Sequence, residues 1–258
     1  MKRIILLYAI SVFALLGCSE YTITPYYDYV DLKFEDLGIN MVYVEGGTFK
    51  MGATSEQGSD AEIDEKPVHS VTLDSYYIAE TEVTQAQWRA VMGTNPSYFT
   101  GDNRPVEQVS WYEAREFCRR LSQLTGKRYA LPTEAQWEYA ARGGKKSKGY
   151  MYSGSNTIDD IAWYYDNSSN TTLSVKQKQP NELGLYDMSG NVWEWCSDWW
   201  NSNYYSSSPS INPTGPTTGS NRVLRGGHWS SIARYCRVSF RGITPDGGSG
   251  ITGCRLAL

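Results

Sequence analysis

Helix signals in this chain are confined to residues 84–144, and after residue 145 no long helical period appears. Ser110 precedes Trp111-Tyr112-Glu113, and Thr133 precedes Glu134-Ala135-Gln136. In each, a hydroxyl and an acid or amide three residues on can satisfy the orphan amides of a helix start, a capping box. Trp111, Ala114, Phe117, Cys118, Leu121 and Leu124 then recur at helical spacing, so that helix has one apolar face to bury. Thr84 caps a shorter helix that Gly93 ends. Everything else must be short strands and loops. Residues 41–52 alternate apolar and polar, break at Gly46-Gly47, and read as a hairpin. Residues 53–67 form an acidic loop, and 69–84 read as strand, turn, strand. The fold class is α+β, with few helices, short strands and long loops.

The core is expected to be aromatic, because the 258 residues include 9 Trp and 20 Tyr. Trp88, Trp111, Trp137, Trp193 and Trp195 are assigned to it. The net charge of −4 gives no basic footprint for nucleic acid.

The first residues carry Lys2 and Arg3, an apolar run from Ile4 to Leu16, then Gly17-Cys18. The run is short for a spanning helix and reads as a secretory signal. Leu15-Leu16-Gly17-Cys18 resembles a bacterial lipobox, which implies cleavage before Cys18 and a lipid on its thiol. Residues 1–17 are then the signal peptide, 18–38 a polar, Tyr-rich tether, and 39–258 a folded domain. The expected location is the bacterial outer membrane or cell surface, with the lipid as the membrane contact. In an oxidising compartment Cys118, Cys196, Cys236 and Cys254 allow three pairings, and Cys118 equally reads as a buried thiol.

Six stretches carry a family resemblance: GGTFKMG (46–52), EVTQAQW (82–88), PVEQVSWYEAREFCRRL (105–121), RYALPTEAQWEYAARGG (128–144), PNELGLYDMSGNVWEW (180–195) and RVLRGGHW (222–229). In this order they resemble the formylglycine-generating, sulfatase-modifying factor family, a variant of the C-type lectin fold. Members of that superfamily include copper oxidases, iron-associated enzymes, structural lipoproteins and ligand-binding proteins. The enzymes bind Cu(I) with two thiolates of one loop, a soft metal needing soft ligands. Here the second thiolate corresponds to Cys236, the first falls on Ser231, and the family's active-site Ser falls on His228. No copper is therefore expected. The resemblance also implies a structural calcium ion, held by Asp187 and Glu194 with the carbonyls of Gly190 and Val192.

The closing segment, 225–258, is similar to the variable proteins of diversity-generating retroelements. There, adenine-targeted rewriting yields codons that cannot encode Lys, Glu, Gln, Met or Trp, and the single Trp of the segment, Trp229, stands at a family-fixed place. Residues 228–258 contain no Lys, Glu, Gln or Met, whereas residues 1–227 contain 10 Lys, 15 Glu, 8 Gln and 6 Met. The resemblance implies a fixed framework of Arg225, Gly226, Gly227, Arg234, Cys236, Arg237, Arg241, Pro245, Asp246, Arg255 and Leu256. Around it lie candidate ligand-binding positions: His228, Trp229, Ser230, Ser231, Ile232, Tyr235, Phe240, Gly242, Ile243, Gly247, Ser249 and Ile251. The function expected is non-catalytic binding of a protein or glycan. The alternatives are a formylglycine-generating or iron-dependent oxidoreductase, and a structural lipoprotein of a surface or secretion machine.

Overall fold

The computed structural model describes residues 37–247 and 250–258; Cys18, the signal peptide, nearly all of the tether and Ser249 lie outside them. Four strands open the domain: β1 (Met41–Val44), β2 (Gly47–Met51), β3 (His69–Leu73) and β4 (Tyr76–Ala79). Residues 41–52 do not form the expected hairpin. β1 pairs with β4 (Val44 opposite Tyr76) and β2 with β3 (Gly47 opposite Leu73), both antiparallel. The two-glycine break is a bend in one long ribbon whose closing loop is 53–68. A Cβ on Gly46 would lie 2.5 Å from the Leu73 carbonyl oxygen, and the Gly46 amide donates to Ser75 Oγ at 3.0 Å. A side chain is excluded there because the facing strand turns directly beneath it.

The helices follow their sequence signals. α1 (Gln85–Met92), α2 (Trp111–Thr125) and α3 (Glu134–Ala141) start at Thr84, Ser110 and Thr133, each with both arms of a capping box formed. Gly93 ends α1 in the left-handed region at φ 81°. α2 buries Trp111, Ala114, Phe117, Cys118 and Leu121. Among the described residues, the one α-helix after α3 is α4 (Ile158–Ile161), and no helix is long and apolar enough to cross a membrane.

A second sheet holds the tail. Its order is β7 (Gly242–Thr244), β6 (Arg222–Arg225), β5 (Trp193–Trp199), β8 (Thr252–Gly253), with β8 parallel to β5 and the other pairs antiparallel. Residues 256–258 run back along β4: Tyr77 and Ala79 donate to the carbonyls of Leu258 and Leu256, and Ala130 to that of Ala257.

Two main hydrophobic clusters result. One joins α1 and α2 around Trp88, Phe117, Trp111 and Trp195. The other joins the ribbon to α3 around Trp137, Tyr139, Leu185 and Val223. Trp88 and Phe117 stack at 5.1 Å with their planes 2° apart. Trp193 departs from the expectation for the core. It is half-buried, with its ring toward His228 and Phe240.

Candidate functional site: the C-terminal face

The tail is fastened by arginines. β6 carries Arg225 into the interior, where it is fully buried, ion-paired with Glu138 of α3, and donating to the carbonyls of Val238 and Ser239 at 2.9 and 2.8 Å. Arg237 grips Glu65 at 2.6 and 2.9 Å. Arg241 takes both oxygens of Glu134 at 2.7 and 2.9 Å. Arg255 holds Glu194 at 2.8 Å and donates to the carbonyls of Ala79 and Tyr186 at 2.9 and 2.7 Å. Burial pushes the carboxyls of Glu65 and Glu134 up, but their arginines outweigh it and both sit below the usual carboxylate range. Such pairs tolerate desolvation only when both partners stay in place. Arg234 differs: it is part-exposed and lies 3.5 Å from Glu62.

Between these anchors the chain turns outward. Ile232 and Ile243 are exposed, and Gly247 is exposed. His228, Trp229, Ser230, Tyr235, Phe240 and Ile251 are half-buried. Two candidates are corrected. Ser231 is buried, its Oγ accepting from the His228 amide at 3.1 Å. Gly242 is buried in β7, where a Cβ would lie 3.0 Å from Leu224 Cβ and 3.1 Å from the Trp193 ring. Both therefore belong to the supporting layer.

The rings on this face are continuous. Tyr235 meets Phe240 at 4.8 Å, Phe240 meets Trp193 at 6.0 Å, and Trp193 meets His228 at 5.9 Å. His228 meets Trp229 edge-on at 6.0 Å, and Trp229 meets Phe99 edge-on at 5.4 Å. Phe99 in turn meets Tyr98 at 4.9 Å. Tyr98 and Phe99 are absent from the sequence-derived candidates. Their loop follows Asn95-Pro96-Ser97 and gives no local sign of which distant segment it will touch.

The thiol and imidazole are not arranged for chemistry. Cys236 is fully buried, and burial pushes its thiol up to about 12. Thiolate is the reactive form, so this sulfur is inert at neutral pH. It packs under Gly227, whose φ is 78° and whose Cβ, if present, would lie 2.7 Å from Sγ. Burial pushes His228 down to about 4, and its Nδ1 accepts from the Ser230 amide at 3.2 Å. The imidazole is thus neutral, with its proton on Nε2. Cys254 packs in the α1–α2 cluster that also holds Cys118, whereas Cys236 packs with Tyr152 and Tyr164. Cys118, Cys196, Cys236 and Cys254 are all buried and unpaired.

The turn expected to hold calcium is built from left-handed residues: Asp187 at φ 58°, Gly190 at 85° and Asn191 at 59°. A Cβ on Gly190 would lie 2.2 Å from the Trp163 carbonyl oxygen, so glycine alone fits. Asp187 Oδ2 accepts from the Lys176 amide at 2.9 Å, while Oδ1 is buried without a partner. Burial pushes the Asp187 carboxyl up to about 6. Glu194, however, is held by Arg255 and accepts from Trp137 Nε1 at 2.7 Å. Among the described residues no three His, Cys, Asp or Glu are grouped to hold a metal ion. Asp187 keeps one oxygen free, whereas both oxygens of Glu194 are engaged by Arg255 and Trp137.

A mixed α+β scaffold that clamps a looped C-terminal segment by buried arginines, and leaves its rings at the surface, defines a formylglycine-generating, lectin-type domain. The chain belongs to the sulfatase-modifying factor enzyme 1-like domain family, which it matches over residues 33–258. It is 35% identical to the "Chaperone protein LppX" of Paenibacillus barcinonensis, over 81% of this chain and 87% of that one. It is 34% identical to the formylglycine-generating enzyme of Streptomyces coelicolor, over 84% of this chain and 88% of that one. Among solved structures, Treponema denticola variable protein 1 superposes with a TM-score of 0.77 at 35% identity, covering 85% of this chain and 94% of that one.

Proposed function

We propose that this protein is a lipid-anchored binding protein of the bacterial surface, recognising its ligand through the C-terminal face without catalysis. The carrying observation is the division of the tail. Arg225, Arg237, Arg241 and Arg255 are buried in carboxylate clamps, while Ile232, Ile243 and the half-buried rings between them face outward. A surface fixed from below can change its side chains without changing its backbone. The likeness to a solved variable protein supports diversification of that surface. The relative named a chaperone protein supports a polypeptide ligand. Anchoring through Cys18 rests on the lipobox-like leader.

The decisive test exchanges the outward residues. Chains differing only at 228–230, 232, 235, 240 and 243 should share one Tm and differ in the ligands they retain. Identical ligand profiles, or retention unaffected by these residues, would overturn the reading. A near-copy of codons 225–258 differing at adenines, beside a reverse transcriptase gene, is the expected genomic signature. Palmitate labelling lost in Cys18→Ser tests the anchor. Calcium at the Asp187 turn requires Glu194 to exchange Arg255 for the ion. A Tm higher in calcium than in chelator would show that exchange, and equal values would leave the turn to its hydrogen bonds.

A further inference from the structure

The loop joining α1 to α2 presents an aromatic residue to solvent on an unusually well-fastened base. Tyr98 is 72% exposed. At the base of the loop, Gln85 is fully buried and uses its whole side-chain amide to tie the loop's main chain and Asn95. Its Nε2 donates to the carbonyls of Phe99 and Pro105 at 2.7 and 3.1 Å. Its Oε1 accepts from Asn95 Nδ2 and the Gly101 amide at 2.9 and 3.0 Å. Glu107 Oε1 accepts the Phe99 amide at 2.9 Å, and Ser97 Oγ accepts the Glu107 amide at 3.1 Å. A buried network of this kind removes motion from the loop it ties. Holding a large ring rigidly in water gains the isolated protein little. It does spare a partner the ordering cost that a flexible side chain imposes.

The position of this ring gives the second observation. Tyr98 stacks edge-on against Phe99, and Phe99 against Trp229, so the loop extends the aromatic face beyond the tail that forms the rest of it. Neither residue lies within 225–258. Whatever is rewritten there, Tyr98 and Phe99 stay.

The surroundings indicate the partner's chemistry. A sugar ring stacked on an aromatic needs side-chain amides or carboxylates close by to pair its hydroxyls. Here the amides of Gln85 and Asn95 are spent within the loop. Glu107 points one oxygen at the Phe99 amide and buries the other. Thr100, Asp102, Asn103 and Gln108 of the loop are also exposed, but the rings of Tyr98, Phe99 and Trp229 form one run, which fits an apolar side chain of the polypeptide ligand proposed above.

We propose that Tyr98 and Phe99 form the constant half of the binding face, an anchor that receives an apolar side chain of a protein partner beside the variable residues of the tail. The anchor sets the class of partner, and the tail selects among its members. This rests on the tail being the binding surface.

The test uses a displayed library of constrained random peptides, selected against the full chain, with affinities then measured by interferometry. Selected peptides should lose about tenfold or more in affinity with Tyr98→Ala, as expected of an aromatic hot spot. A similar loss is expected with Phe240→Ala, and almost none with Tyr43→Ala on the distant ribbon. Tyr98 is exposed, so its variant should keep the parent Tm. Gln85→Ala, which frees the loop but keeps the ring, should weaken binding by a smaller factor. Loss with Phe240→Ala and none with Tyr98→Ala overturns the anchor and leaves the tail as binding surface. Sensitivity to Tyr43 alone overturns both readings. Enrichment of glycans on an array, with no peptide selected, overturns the partner class. No enrichment of either overturns the anchor.

Discussion

Arg225 and Ile232 lie a few residues apart in one segment and are subject to opposite demands. Arg225 is sealed against Glu138 and three main-chain carbonyls; Ile232 has 49% of its surface in water and its hydrocarbon side chain has no polar partner to lose. The same contrast recurs along the tail, with Arg237, Arg241 and Arg255 on one side and Tyr235, Phe240 and Ile243 on the other. Stability is thus concentrated in a few charged contacts that point inward. In the proposed reading, recognition is left to the side chains that point outward between those contacts.

The contrast can be broken first at its strong end. Arg225→Ala takes one of its two arginines from buried Glu138, leaving Arg142 at 2.8 Å, and strips the buried carbonyls of Val238, Ser239 and Phe240 of their donor, so it should cost about 3–5 kcal/mol in a urea titration. A loss under 1 kcal/mol would show that the clamp is not what secures the tail. Next comes Gly227→Ala, which adds a methyl against Cys236 Sγ at a positive φ. It should cost about 1–3 kcal/mol by the same measurement, whereas Gly247→Ala, with open space around it, should not.

A third prediction uses pH. Asp198 is buried beneath α3, where its Oδ2 accepts from the Glu134 amide at 3.0 Å. Burial, and then the neighbouring Glu134, push its carboxyl up to about 7 from an ordinary value of 3.8. The folded state therefore holds a proton that the unfolded chain has released, and stability falls as pH rises from about 4 to about 7. Asp198→Asn keeps an acceptor and should remove up to about 1.4 kcal/mol per pH unit of that slope. His228 works against this trend: its value of about 4 lies below the unfolded 6.5, so its contribution is lost as pH falls through that window. An unchanged slope in Asp198→Asn would mean that Asp198 is ionised in the native protein. The smallest effect belongs to Ile232→Ser and Ile243→Ser, expected within about 0.5 kcal/mol of the parent. A larger loss from either would move it into the framework.

What could be read before folding was local. The three helix starts are set by residues three apart, and all three formed as expected. The Gly46-Gly47 break was misread because a bend and a turn share the same residue preference. What separates them is the strand opposite, more than twenty residues downstream. The framework arginines are legible, but their partners come from three separate places in the chain: Glu65 in the loop after β2, Glu134 and Glu138 on α3, and Glu194 on β5. Trp193 looked like core by type. Its place beside His228 and Phe240 depends on β6 pairing with β5 and carrying the 228–240 loop and β7 with it. Tyr98 and Phe99 were missed for the same reason.

Residues 256–258 complete the sheet begun by β1 and β4, through the pairings of Tyr77, Ala79 and Ala130. Those last residues lie downstream of every position proposed to change. A miscopied tail that slipped its reading frame would scramble Arg255 and the three residues after it. The ribbon near the start of the domain would then lack its neighbour, and Glu194 its counter-ion. Such a product should fail to fold before it could be displayed. Under the proposed diversification, the architecture would screen its own variants, admitting new side chains and rejecting new frames.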